Sequence, residues 1–268
     1  MKRTRTGVLA FAAVLTAGLA AQALAAEDFR WQGKLARGNE IEIKGVNGSI
    51  TATGGTGDEV VVTAVKKAHR SDPASVKVEV VPHAGGVTIC AVYPSVEGKP
   101  NVCAPGEGGH MSTKDNDVSV DFQVQVPEGV RLSARTVNGA ISATGVHADV
   151  RANTVNGAVA LESTGIATAN TVNGAVRVHM GRADWQGTLK LNTVNGSVEV
   201  ALPADASTEV SAATVNGHVE TDFPLTVVGK IVGRSIHGTI GAGGRQLELN
   251  TVNGGITLRK AGAAKAER

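Results

Sequence analysis

Along the second half of this chain, apolar and polar residues alternate with a period of two, and the alternation restarts every 16 to 22 residues. Each restart follows a Thr-Val-Asn-Gly tetrapeptide whose Asn stands at 138, 156, 173, 195, 216 or 253. Val46-Asn47-Gly48 is an earlier copy, and Ser235-Ile236-His237-Gly238 is a degenerate one. Three residues past the Asn position come Ile50, Ile141, Val159, Val176, Val198, Val219, Ile240 and Ile256, all β-branched. Two further on are Ala52, Ala143, Leu161, Val178, Val200, Thr221, Ala242 and Leu258, with mostly polar or small residues between the two sets. This pattern predicts a strand with one buried face.

A second strand precedes each Asn. Leu132, Val150, Leu189, Val210, Ile231 and Leu247 lie six residues before it, and Ala134, Ala152, Ala169, Leu191, Ala212 and Leu249 lie four before. The small residues imply a narrow interior. No helix-period segment of useful length follows the N-terminal leader, so the fold class is all-β.

Self-similarity at this period marks stacked supersecondary units. Asn-Gly is the strongest short signal for a two-residue hairpin turn, so one arrangement is a stack of antiparallel β-hairpin repeats. The other is a parallel β-solenoid of about seven to eight coils. There Thr-Val forms a corner, Val turns inward, Gly takes a left-handed conformation, and the Asn amides stack from coil to coil. Val or Ile before every corner favours the solenoid, as does a coil of about 20 residues. The corner residues are then Asn47 and Gly48, Asn138 and Gly139, Asn156 and Gly157, Asn173 and Gly174, Asn195 and Gly196, Asn216 and Gly217, His237 and Gly238, and Asn253 and Gly254. His237 is expected to interrupt the amide ladder.

Residues 26–130 read differently. Strands are legible at Val60–Val65, Val76–Val81, Val87–Val92 and Val118–Val126. Pro82-His83-Ala84-Gly85-Gly86 joins the middle two as a hairpin. Pro94–Asn116 is a polar, Gly/Pro-rich insertion. This half is expected to be the starting coil plus a β-rich cap that covers the end strands. Residues 131–260 form the repeat solenoid, and 261–268 a disordered tail.

The repeated Thr-Val-Asn-Gly-x-Val, the opening Val46-Asn47-Gly48-Ser49-Ile50 and the run Phe122-Gln123-Val124-Gln125-Val126-Pro127-Glu128-Gly129-Val130 resemble one bacterial group. It is the "putative adhesin" family of β-strand-repeat proteins, a domain of unknown function, and the resemblance covers residues 40–258. It implies an exported, envelope-associated β-solenoid and carries over no catalytic residue. The Cys-bearing insertion departs from the simpler members.

The first residues have the form of a secretory leader. Lys2, Arg3 and Arg5 precede an apolar run from Gly7 to Leu24, and Ala23-Leu24-Ala25 supplies an A-x-A cleavage site. Removing residues 1–25 takes away three of the 26 basic residues and no acid, leaving 23 basic against 24 acidic. The basic balance of the full chain thus belongs to the leader. A near-neutral surface without Lys/Arg clusters argues against nucleic acid or anionic lipid as partner. In an exported chain, Cys90 and Cys103 are expected to form a disulfide; no His-Cys cluster at zinc spacing accompanies them.

Candidate chemistry is sparse, and no cofactor motif is legible. Glu199 and Glu220 share a slot in adjacent copies, which would bring the carboxylates within about 5 Å. A solvated face relieved by Arg177 is the blander reading. Asp115-Asn116-Asp117, with Asp121 beyond, resembles part of a calcium loop but lacks its Gly and distal Glu. His218 and His237 occupy different positions relative to their corners, and Gly241-Ala242-Gly243-Gly244 has no helix after it to bind phosphate. The chain therefore reads as a non-enzymatic envelope protein whose outward rows bind a glycan or envelope protein. A polysaccharide-cleaving β-helix enzyme and a structural spacer are the alternatives.

Overall fold

Because the strands on either side of each corner bury alternate residues, they fold as opposite walls of one narrow core. A computed structural model describes residues 29–227 and 234–262; the leader, Ile231 and most of the tail lie outside them. In each coil the strand before the corner joins one sheet and the strand after it joins the other. The coils are Glu40–Lys44 with Ile50–Gly55, Arg131–Arg135 with Ile141–Val146, Val150–Asn153 with Val159–Ser163, and Ala167–Asn170 with Val176–Met180. They continue as Thr188–Asn192 with Val198–Leu202, Thr208–Asn216 with Val219–Thr221, and Gln246–Asn253 with Ile256–Lys260. A further coil, Gly86–Val92 with Ser119–Pro127, has the Cys-bearing insertion in place of an Asn-Gly corner. Neighbouring coils pair in parallel and in register, as in Val159 beside Val176 and Val176 beside Val198. The architecture is a parallel β-solenoid, and the antiparallel hairpin stack is excluded because no corner joins two paired strands.

Antiparallel strands finish the ends. Phe29–Gly33 pairs with Val60–Lys67, which pairs with Ser119–Pro127. Lys77–His83 pairs with Gly86–Val92. At the other end Ser235–Ile240 pairs with Thr208–Asn216 and Thr226–Val227 with Ser235–Ile240.

The order of coils in space is not their order in sequence. The last coil, 246–260, lies between the coils 188–202 and 208–221. Likewise the first coil, 40–55, lies between 86–127 and 131–146.

Ile50, Ile141, Val159, Val176, Val198 and Ile256 on one sheet are at most 1% exposed, and Ala134, Ala152 and Ala169 on the other are equally buried. Burial of each Val or Ile contributes about 1.5–3 kcal/mol, and the alanines set the close separation of the walls.

At the corners two expectations are corrected. Val137, Val155, Val172, Val194 and Val252 are 37–39% exposed and Val215 53%, so Val points outward; only Val46 is buried. The inward residue is Thr: Thr136, Thr154, Thr171, Thr193, Thr214 and Thr251 are all at most 6% exposed. Burial of a hydroxyl costs free energy unless it is hydrogen-bonded, and each Thr Oγ1 donates to the Gly carbonyl of the adjoining coil, as Thr171 does to Gly157 at 2.9 Å and Thr193 to Gly174 at 2.8 Å. The glycines are also needed for a different reason. Only Gly48 and Gly254 have positive φ among them. A Cβ on Gly139, Gly157, Gly174, Gly196, Gly217 or Gly254 would instead lie 1.9–2.1 Å from the carbonyl oxygen of the neighbouring corner Gly.

The Asn amides form a continuous chain of hydrogen bonds. Nδ2 of Asn138 donates to Oδ1 of Asn47, and the series continues through Asn156, Asn173, Asn195 and Asn253 to Asn216 at 2.7–2.9 Å. His237 does not interrupt it. His237 and Gly238 lie within the antiparallel strand Ser235–Ile240, opposite Ser211 and Val210, so they form no corner. A second row, Asn153, Asn170, Asn192 and Asn250, runs parallel to the first at 2.9–3.1 Å.

Candidate recognition surface

Outward-facing side chains, freed from packing, are where the strands can differ from coil to coil. On the sheet formed after the corners, one row runs through Thr51, Ser142, Ala160, Arg177, Glu199, Thr257 and Glu220. A second passes through Glu162, His179, Ala201 and Arg259. Thr257 therefore separates Glu199 from Glu220, because the last coil is inserted between theirs. The two carboxylates form no dyad. Arg259 Nε lies 3.0 Å from Glu199 Oε1 and Arg177 Nε 3.7 Å from Oε2, while Glu220 faces His218 Nε2 at 3.5 Å. This half of the face is thus charged, with Glu199 paired to Arg177 and Arg259, around a shallow depression of about 270 Å³ that Glu162 and His179 also line.

The other half carries mostly hydroxyl and amide groups, with Arg30 beside Thr63 as its cation. Thr51 and Thr53 pair in register with Gln123 and Gln125, and Thr63 lies beside Gln123. With Arg30 they line a depression of about 200 Å³, and Ser142 and Thr144 extend the hydroxyl rows beside Thr51 and Thr53. Thr53, Thr63, Gln123, Gln125 and Thr144 make no side-chain hydrogen bond to other described residues, and only the 3.5 Å contact of Ser142 to Thr51 ties the group together. Their donors and acceptors face solvent.

The acidic loop acts as a clamp. Asp117 accepts backbone N–H bonds from Ser71, Arg70 and His69, which hold its carboxyl at about 2. Asn116 Oδ1 accepts from Val118 N, and Asp121 accepts from Ser49 N and Lys67 Nζ, both at 2.9 Å. Asp115 takes a positive φ of 53° in this turn. Among the described residues no group of three or more His, Cys, Asp or Glu is placed to hold a metal ion. Gly241, Gly243 and Gly244 supply the positive φ of a turn following Ser235–Ile240.

On the opposite sheet, the insertion covers a buried carboxylate. Cys90 and Cys103 are joined as a disulfide with Cα atoms 5.8 Å apart. Glu42, 2% exposed, accepts from Thr88 Oγ1 at 2.9 Å and Gly106 N at 3.0 Å. Lys44 Nζ, 3.7 Å from Glu42, donates to the carbonyls of Ala104, Gly106 and Gly108. Arg135 lies 3.7 Å from Glu42 and pairs with Glu107 at 2.6 Å. The charges compensate one another and fix the insertion on the sheet. Sequence reasoning missed this cluster because its members lie far apart along the chain. The second Asn row was visible as Asn three residues before four of the corners.

A family model described as Toastrack DUF4097 matches residues 106–259. No curated protein matches the chain. Among solved structures, a putative cell adhesion protein from Clostridium sporogenes is 10% identical, covering 87% of this chain and 99% of that one with a TM-score of 0.44. A putative adhesin from Bacteroides fragilis is 12% identical, covering 87% and 96% with a TM-score of 0.22. Another from Parabacteroides distasonis is 14% identical over the same shares, with a TM-score of 0.26.

Proposed function

This chain belongs to the adhesin-like Toastrack family, DUF4097, and we propose that it is an exported, non-enzymatic envelope protein that binds a neutral glycan on its hydroxyl and amide face. The observation that carries the reading is the set of outward Thr and Gln side chains at Thr51, Thr53, Thr63, Gln123, Gln125 and Thr144, all exposed but the half-buried Thr63, of which all but Thr51 make no side-chain hydrogen bond within the described protein. A sugar hydroxyl can both donate and accept, as these groups can. The in-register rows repeat at about the 4.8 Å strand spacing, so they offer many modest hydrogen bonds to an extended polymer without a deep pocket. The charged half is a poorer candidate because Arg177, Glu199 and Arg259 already engage one another. The leader at residues 1–25 and the disulfide both favour an oxidising compartment outside the cytoplasm.

The test is retention of the purified protein on envelope polysaccharide and on a neutral glycan array, with Gln123→Ala and Gln125→Ala combined as the variant. The expected result is retention of the parent and loss in the variant at unchanged melting temperature. Retention on envelope protein alone would move the partner from glycan to protein. Equal retention of parent and variant would overturn this choice of face.

A further inference from the structure

The corners contain seven copies of Asn-Gly, the dipeptide in which a backbone nitrogen most readily attacks the preceding side-chain amide, since glycine has no side chain to hinder approach. Six of these copies are held at the reacting atoms. Each of their Oδ1 atoms accepts from the Nδ2 of the next rung. Each of their glycine N–H groups donates to the Asn carbonyl of the next coil, at 2.9 Å for Gly48, Gly139, Gly157, Gly174 and Gly196 and 3.0 Å for Gly254.

Asn216 is the last rung. Its Nδ2 donates to Asn253 Oδ1 at 2.8 Å, but its Oδ1 accepts from no described residue, and the Gly217 N–H donates to none. The exposure changes at the same place. Gly217 is exposed where the other six corner glycines are half-buried, and Val215 is 53% exposed against 37–39% for Val137, Val155, Val172, Val194 and Val252.

We propose that Asn216 is a self-modification site that deamidates in the folded protein, and that the ladder protects the other six Asn-Gly pairs. The Gly217 nitrogen loses its proton to solvent and bonds to Asn216 Cγ. The Cγ–Nδ2 bond breaks, and the nitrogen leaves as ammonia with a proton from solvent, closing a five-membered succinimide. Water then adds to either ring carbonyl and opens it to isoaspartate or aspartate; no electron is gained or lost. The new carboxylate has no donor for Asn253 Oδ1, so the outermost rung is lost and a negative charge appears on the end coil that carries Glu220.

The experiment is incubation of the folded chain at mildly alkaline pH and physiological temperature, followed by peptide mapping with fragmentation and isoaspartate detection at each site. Opening an inner corner first breaks two hydrogen bonds, so Asn216 is expected to convert about thirtyfold faster than any other. In concentrated denaturant the seven rates should converge. An inner corner converting as fast as Asn216 in the folded protein, or Asn216 as slow as the rest, would overturn the proposal.

Discussion

Gly174→Ala adds one carbon 2.1 Å from the Gly157 carbonyl oxygen and 2.5 Å from its carbon. Ordinary contact begins at 3.4 Å, so the coils must part by 3.4 − 2.1 = 1.3 Å. Three hydrogen bonds span that gap: Gly157 N to Asn173 O at 2.9 Å, Asn173 N to Val155 O at 2.8 Å, and Thr171 Oγ1 to Gly157 O at 2.9 Å. At about 1 kcal/mol each, with about 1–3 kcal/mol for overpacking, the cost is about 4 kcal/mol after partial relaxation. A domain has only about 5–15 kcal/mol in total. Equilibrium urea unfolding followed by circular dichroism should show a large drop in midpoint at nearly constant slope. The control is Gly145→Ala, where φ is +62° and no atom lies within 4 Å of the added carbon. Conformational strain alone should cost about 1–2 kcal/mol there. If Gly174→Ala loses no more than Gly145→Ala, close approach is not why the corners carry glycine.

Asn173→Ala removes two amide contacts, both 2.7 Å, and should lower stability by about 1–2 kcal/mol. Asn216→Ala removes one and should cost about half as much by scanning calorimetry. Replacing Cys90 and Cys103 together with Ser opens a loop of sequence separation 13; the loop-entropy model gives a loss of about 3 kcal/mol, readable as a lower urea midpoint. The carboxyl of Asp117 is held at about 2, below its ordinary 3.8, chiefly by hydrogen bonds from Ser71. Its stabilisation is therefore complete above the ordinary value and is lost as pH falls through about 2. Hydrogen exchange at His69, Arg70 and Ser71 should accelerate across that window, and Asp117→Asn should remove the pH dependence.

The repeat, the all-β class and the parallel stack were legible because period-two burial and a fixed recurrence length leave few alternatives. The orientation of the corner was not. Val before every Asn reads as a buried site on hydrophobicity alone, yet Thr takes the interior because its hydroxyl reaches a carbonyl one coil away. That partner is distant in sequence, so only the fold discloses it. The Glu199 and Glu220 pairing failed for a related reason: alignment of copies assumes that neighbours in sequence are neighbours in space. The insertion of residues 246–260 between those coils breaks that assumption. The hydroxyl and amide face was partly visible, since Gln123 and Gln125 alternate with Val124 and Val126, but their meeting with Thr51 and Thr53 depends on the coil order.

That inserted last coil also has consequences for how the molecule is made. A ribosome releases the chain from its N-terminus, so the coil at 208–221 exists before the strands that will flank it on its inner side. Until Gln246–Asn253 and Ile256–Lys260 arrive, Thr188–Asn192 and Val198–Leu202 present open strand edges with buried-type faces. Exposed edges of this kind pair with whatever strand is available. A chain cut short before residue 246 would therefore keep most of its coils yet remain adhesive to other chains, and it should aggregate more than the chain that carries residues 246–260. Those inner edges are covered only when residues 246–260 take their place between the two coils.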